Sequence, residues 1–98
     1  MDMNAITDAL RAKVGEDSGL NATLKFDCGD DGVVVIDGNS APNAVHNDAV
    51  ETDCTVTITR DNLAALISGE IDPTTGFMMG KFKVAGDMGV AMKLSRVV

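Results

Sequence analysis

The chain has 98 residues, enough for one domain, and 45% of them are hydrophobic, so it can form a folded core. Its formal net charge of −7 argues against DNA or RNA as a partner, because binding phosphates requires a basic surface. The same charge limits contact with anionic membranes to a transient one, and no segment has the length of apolar sequence needed to cross a bilayer.

The first third of the chain predicts one helix followed by a hairpin. Apolar residues recur at spacings of three and four, which is the period of an amphipathic helix ending near Gly15: they are Met3, Ile6, Leu10 and Val14. Residues 21–28 alternate between polar and apolar, which is typical of a half-buried strand. Asp31-Gly32 is a favoured hairpin pair, so Val33–Ile36 is predicted to be its antiparallel neighbour.

The middle of the chain predicts a loop, a strand and a helix. Residues 37–47 are rich in Gly, Asn, Ser and Pro and indicate a loop, with a short strand at either Ala44–Val45 or Ala49–Val50. Cys54, Val56 and Ile58 alternate with threonines, which predicts a strand with one apolar face. Thr59 then caps a helix that carries leucines on one side and ends at Gly69.

The last third predicts two short helices on either side of a strand. Asp72-Pro73 is an N-cap followed by proline at the first helical position, and this helix is expected to end at Gly80. Residues 81–84 alternate as a strand, and Gly86-Asp87 introduces a last helix with Met88, Ala91 and Met92 on one side. The order of elements indicates a single α+β domain over residues 1–98, in which helices pack on one face of a mixed sheet.

Residues suited to catalysis or to metal binding are scarce. His46 is the one histidine, and Cys28 and Cys54 occupy inward strand positions that suit packing better than reactivity. No paired cysteine spacing predicts zinc, and the acidic turn at residues 27–32 has Gly38 where a calcium loop needs an acidic twelfth ligand. We therefore predict no enzyme activity, no metal and no cofactor, with a hydrolase that uses Cys28 or Cys54 as the competing hypothesis.

The second half of the chain resembles the sterol carrier protein 2 family. Three segments carry the resemblance in the family's order: DCTVTIT ahead of a helix, then LISGEIDPTTGFMMGKFKVAGD, then MGVAMKL. The segment over residues 21–38 fits the family's first hairpin in order and length. The resemblance therefore covers the layout of the whole chain and the residues of its C-terminal half.

This resemblance implies a sheet of about five strands with helices on one face and an apolar tunnel between them. It also implies non-catalytic binding and transfer of a fatty acid, fatty acyl-CoA, sterol or isoprenoid lipid. The positions that match the family's tunnel-forming region are Phe77, Met78, Phe82, Met88, Met92 and Leu94. Methionine-rich walls suit ligands of variable shape, because methionine repacks easily.

An accessory module that recruits a lipid or a partner enzyme is the alternative hypothesis. From Lys81 onward the chain carries four basic residues and one acid, and Lys81, Lys83 and Lys93 are the predicted contact residues for a protein partner. Met1–Leu10 lacks the basic start and apolar run of a secretion signal, and the cysteines are expected to be free thiols. A cytoplasmic location is the expectation that follows.

Overall fold

Five strands form one mixed sheet in the computed structural model, which describes residues 1–98. The strands are β1 (Thr23–Asp27), β2 (Val33–Asp37), β3 (Ala44–His46), β4 (Cys54–Ile58) and β5 (Phe82–Gly86). They lie in the order β3-β2-β1-β4-β5. The central pair β1–β4 is parallel, and the other three pairs are antiparallel. The predicted hairpin of β1 and β2 is confirmed, with a short 3₁₀ turn at Gly29–Asp31 between the strands.

Four helices accompany the sheet, and each begins at a residue whose side chain caps it. They are α1 (Met3–Val14), α2 (Arg60–Ser68), α3 (Pro73–Met78) and α4 (Met88–Ala91). The predicted caps are confirmed, since Thr59 accepts the Asn62 amide of α2 and Asp72 accepts the Thr75 amide of α3. Gly69 ends α2 in the left-handed conformation.

One face of the sheet carries the core. The side chains of Leu24, Phe26, Cys54, Val56 and Ile58 lie on this face and are buried, because successive strand residues point to opposite sides. They join apolar residues of α1, α2 and the C-terminal segment in one cluster of 21 buried residues. The predicted α+β architecture, with helices on one face of a mixed sheet, is therefore confirmed.

The connection from β3 to β4 crosses the other face of the sheet. It must pass β2 and β1, and the ammonium of Lys25 on that face donates to the carbonyl oxygen of Val50 at 3.1 Å. Val35 points to this side and is only 1% exposed. The crossing segment therefore leaves the opposite, helix-bearing face free for the core.

The structure also differs from the sequence-based boundaries. Of the two alternatives for the third strand, the structure has Ala44–His46. The third helix ends at Met78 rather than at Gly80, and the last helix is one turn followed by a 3₁₀ turn at Leu94–Arg96. A one-turn helix buries little by itself, so α4 depends on its contacts with β4 and β5. None of the helices combines the length and apolar character that a membrane span requires.

Gly86 sets the turn from β5 into α4. Its φ is +99°, and a Cβ at this position would lie 2.5 Å from the carbonyl oxygen of Asp53 on the neighbouring chain segment. The amide of Asp87 donates to that same oxygen at 2.8 Å, and the Asp87 carboxylate then caps α4. Only glycine allows this approach, so the position of α4 over the sheet depends on Gly86.

Replacing Gly86 by alanine tests this close approach. Gly69→Ala is the matched control, because Gly69 also has a positive φ of +84° but would have nothing within 4 Å of its new Cβ. The control is expected to lose about 1 kcal/mol of unfolding free energy. Gly86→Ala is expected to lose about 1–3 kcal/mol more, since the carbonyl of Asp53 must move. Urea unfolding of both variants measures the difference, and equal losses would contradict the close approach.

Candidate functional site

An apolar groove lies between α3, β5 and the C-terminal segment. Its volume is about 300 Å3, and seven of its ten lining residues are hydrophobic. Phe82 and Val84 of β5 form its floor. The walls are formed by Pro73, Thr74 and Phe77 of α3 and by Met88, Ala91, Met92, Leu94 and Ser95 of the C-terminal segment. We call this feature the β5 groove.

The first wall of the groove depends on close packing of α3 against β5. Gly76 is buried in α3, and a Cβ there would lie 2.7 Å from Ile71 Cγ2 and 3.2 Å from the ring of Phe82. The missing side chain lets the short helix rest on Phe82. Phe77 then reaches the same ring, with ring centroids 6.0 Å apart and a tilt of 47°.

The second wall is made of methionines that stay in contact with solvent. Met88 is 50% exposed and Met92 is 84% exposed, and Phe77 across the groove is 48% exposed. Single exposed apolar side chains are common on protein surfaces, but several around one depression are typical of a binding groove. The β5 groove is therefore open along its rim.

The structure brings together five of the six residues predicted for the tunnel wall. Phe77, Phe82, Met88, Met92 and Leu94 all line the β5 groove. Met78 does not: it is 80% exposed on the outer side of α3. Phe77 reaches the ring of Phe82, and Met78, the next residue, is turned about 100° away from it around the helix. Whether the five residues contact a ligand remains a prediction.

Sequence reasoning missed five lining residues, namely Pro73, Thr74, Val84, Ala91 and Ser95. Val84 had a usable signal, because it follows Phe82 by two residues in a strand and must share its face. Ala91 had one too, since it was placed on the same side of the last helix as Met88 and Met92. Thr74 and Ser95 are exposed polar residues that carry no such pattern.

The groove takes the place of the tunnel that the resemblance implied. Between the sheet and helices α1 and α2 the space is filled by the buried cluster, which includes Leu10, Leu24, Phe26 and Leu63. The apolar groove lies toward β5, where α3 and α4 are short and cover less of the sheet. Another depression, of about 540 Å3, is polar, with one hydrophobic residue among the nine that line it, so it does not suit a lipid chain.

The three lysines predicted as a partner contact do not form one face. Lys83 lies between Phe82 and Val84 in β5, so its side chain projects from the sheet face opposite the groove. Lys93 is drawn inward, where its ammonium donates to the carbonyl oxygen of Leu20 at 3.3 Å. Lys81 is exposed just before β5. Lys83 and Lys93 therefore lie on different sides of the sheet, and contact of any of the three lysines with a partner stays a prediction.

The cysteines and the histidine do not form a catalytic pair. Burial, with smaller effects of the Asp31 and Asp27 carboxylates, raises the pKa of the Cys28 thiol from 9.0 to about 11. Burial, with the nearby Asp87 and Asp53, also raises the pKa of Cys54. His46 pairs with Val35, so its side chain lies on the sheet face opposite Cys54. A raised pKa keeps each thiol mainly protonated near neutral pH, so neither cysteine is an activated nucleophile.

Comparison with known proteins finds a matching family model and several relatives. A family model described as the SCP-2 sterol transfer family matches residues 4–98. Sterol carrier protein 2 of Gallus gallus is 40% identical over 65 residues, which are 66% of this chain and 12% of that protein. Hydroxysteroid dehydrogenase-like protein 2 of Xenopus tropicalis is 32% identical over 84 residues, which are 86% of this chain and 18% of that protein. The chain thus spans less than a fifth of either relative.

A solved structure shows the same fold. The solution structure of palmitated SCP2L2 from Aedes aegypti aligns with 99% of this chain, and the alignment covers 94% of that chain. The TM-score is 0.72 at 22% sequence identity. The arrangement of five strands and four helices is thus shared, although few residues are.

Thiol alkylation tests the protonated state of the cysteines. The thiolate is the reactive form, so a raised pKa lowers its fraction at neutral pH. In the folded protein at pH 7.5, iodoacetamide is expected to react with both cysteines at least about tenfold more slowly than with free cysteine. The rate at Cys28 is expected to keep rising toward pH 11, as measured on the variant Cys54→Ala. The same protein in urea is the control, and fast reaction in the folded state would revive the hydrolase hypothesis.

Proposed function

The chain belongs to the SCP-2 sterol transfer family, and we propose that it is a non-catalytic carrier that binds the apolar chain of a lipid in the β5 groove. The observation that carries this proposal is the β5 groove itself. Most of its lining residues are hydrophobic, and exposed methionine and phenylalanine side chains surround it. A lipid chain lying on Phe82 and Val84 would cover these side chains, which otherwise face water.

The size of the groove favours one flexible chain. At ~30 Å3 for a water-sized group, 300 Å3 holds about ten methylenes. Each fully buried methylene contributes about 0.8 kcal/mol, of which ordering of the chain and of the methionines offsets a large part. Ten methylenes therefore contribute at most about 8 kcal/mol, which corresponds to a dissociation constant of about 1 μM, so the net affinity is weaker than that. The volume is small for a whole sterol, so we propose a fatty acyl or isoprenoid ligand.

The polar groups at the rim suit an anchor for a lipid head group. Thr74 and Ser95 are exposed hydroxyl residues that line the groove beside the apolar walls. A hydroxyl can donate to a carboxylate or carbonyl oxygen without the desolvation that a buried charge would require. This arrangement supports a bound lipid whose apolar chain lies on β5 and whose head group stays in water.

Our proposal assigns no chemical step to this chain. The relative from Xenopus tropicalis carries a dehydrogenase-like name, but this chain corresponds to 18% of its length. Within this chain the thiols are protonated, and His46 lies on the other face of the sheet. No three His, Cys, Asp or Glu side chains are grouped as ligands for a metal ion.

Two equally exposed methionines provide a matched test of the groove. Met92 lines the groove at 84% exposure, whereas Met78 lies outside it at 80% exposure. Met92→Glu is expected to weaken the binding of palmitate about tenfold, because a carboxylate beside the chain must be desolvated or displaced. Met78→Glu is expected to leave the affinity within about twofold. Isothermal titration with palmitate below its critical micelle concentration measures both.

The same variants decide between this groove and another site. Both substitutions are at exposed positions, so the unfolding free energy is expected to change by less than about 0.5 kcal/mol in each. Equal palmitate affinity of the two variants would mean that the lipid binds outside the β5 groove. Absence of palmitate binding, together with absence of a thermal shift with oleoyl-CoA or geranylgeraniol, would contradict the carrier function.

A further inference from the structure

The outer edge of β5 is a free strand edge next to the β5 groove. We propose that it binds an extended peptide segment as a sixth strand, and that the segment alternates apolar with acidic residues. The proposal goes beyond lipid binding, because it adds the backbone of β5 and Lys83, which the carrier function does not require, to the β5 groove.

The hydrogen-bond register shows which backbone groups are free. The amide of Asp87 donates to the carbonyl oxygen of Asp53, and Cys54 faces Gly86 in the antiparallel pair. Asp53 and Asp87, which lie opposite each other next to that pair, therefore form a hydrogen-bonded pair. In an antiparallel ladder every second pair exchanges hydrogen bonds, so Thr55–Ala85 and Thr57–Lys83 are hydrogen-bonded pairs as well. The N–H and C=O groups of Phe82 and Val84 therefore point away from β4, toward the open edge.

The opposite edge of the sheet is protected, in contrast to β5. Arg11 of α1 donates two hydrogen bonds to the carbonyl oxygen of Val45 in β3, at 3.2 and 3.1 Å. This guanidinium occupies the edge that another strand would need. No side chain makes such a bond to Phe82 or Val84, and Val84 is only partly buried. Of the two edges, β5 is the one that can accept a strand.

The two faces of β5 specify the partner. A residue opposite Phe82 or Val84 would point its side chain into the β5 groove, whose walls are apolar. A residue opposite Lys83 would lie on the other face, where the neighbouring strand offers Thr57 and no acid. Lys83 forms none of the ion pairs of the chain, which involve Arg11, His46 and Arg60. An acidic residue there would give Lys83 its partner.

A second copy of this chain fits the edge less well. Pairing two β5 strands antiparallel would bring two copies of Lys83 to neighbouring positions, and like charges facing each other across strands are destabilising. A lysine on an edge strand is a common protection against self-association. The same lysine favours an acidic partner, so the chemistry selects a different polypeptide with alternating glutamate or aspartate and apolar residues.

A labelled peptide in which glutamate and leucine alternate tests the proposal. Fluorescence anisotropy with the full chain is expected to show saturable binding. A peptide of the same composition, with glutamates and leucines in separate blocks, is expected to bind at least about tenfold more weakly. N-methylation of the leucines is expected to cost at least about tenfold, whereas N-methylation of the glutamates, whose amides point to solvent in an antiparallel pair, is expected to cost less than about twofold.

Protein variants test the charge of the partner. Lys83→Glu is expected to weaken binding of the glutamate peptide about fivefold, and replacing its glutamates by lysines is expected to restore affinity for this variant. Lys13→Glu on α1 is the control and is expected to have no effect. Palmitate affinity of Lys83→Glu is expected to match the wild type, so a failure of this proposal is distinguishable from a failure of the carrier function.

Three outcomes would overturn the proposal. If neither N-methylated peptide binds more weakly, the peptide does not pair with β5. If the block peptide binds as well as the alternating one, the two faces do not select the partner. If no peptide binds while Lys83→Glu abolishes binding to phosphatidylglycerol vesicles, the lysine face contacts anionic lipid instead. Weakening by N-methylation of the glutamates alone would support a parallel sixth strand.

Discussion

The parallel pairing of β1 with β4 is the constraint on which the rest of this structure depends. It places β4 inside the sheet, so the chain must cross from β3 over β2 and β1, and it does so on the face that carries Lys25 and Val35. The helices then share the other face with the core. The last strand, β5, can only be added at the outer edge, where short elements cover it incompletely. Both the groove and the free strand edge follow from that position.

An open groove avoids the cost that a closed cavity would have. An empty enclosed void costs on the order of 24 cal/mol per Å3, so 300 Å3 would take several kcal/mol from a small domain. Here the apolar space lies at the surface, where Met88 and Met92 have water on one side. The fold therefore avoids the cost of an enclosed void, but it exposes an apolar surface to water. Gly76 and Gly86 let α3 and α4 lie close enough to make a groove rather than a flat face.

Local patterns in the sequence predicted most of the secondary structure, because caps and alternation act within a few residues. Thr59, Asp72 and Asp87 cap their helices as their positions indicate, and the alternation of Cys54, Val56 and Ile58 sets the buried face of β4. The missed features depend on tertiary contacts. Whether Ala44 or Ala49 joins the sheet depends on pairing with β2, and the separation of Met78 from Met92 depends on how α3 rests on Phe82. The position of the apolar groove depends on how short α3 and α4 are. The sequence pattern of the last helix did not show that α4 has only four residues.

The two proposals share the floor of one groove, and this connects them thermodynamically. A lipid chain and the apolar side chains of an added strand would both lie against Phe82 and Val84. If the two ligands exclude each other there, each lowers the affinity of the other by the same factor, because binding free energies are linked reciprocally. A peptide in the groove would then release lipid, and a bound lipid would leave the backbone edge of β5 open but its side-chain face occupied. Competition at Phe82 and Val84 would thus couple unloading to partner recognition without any conformational change in the sheet.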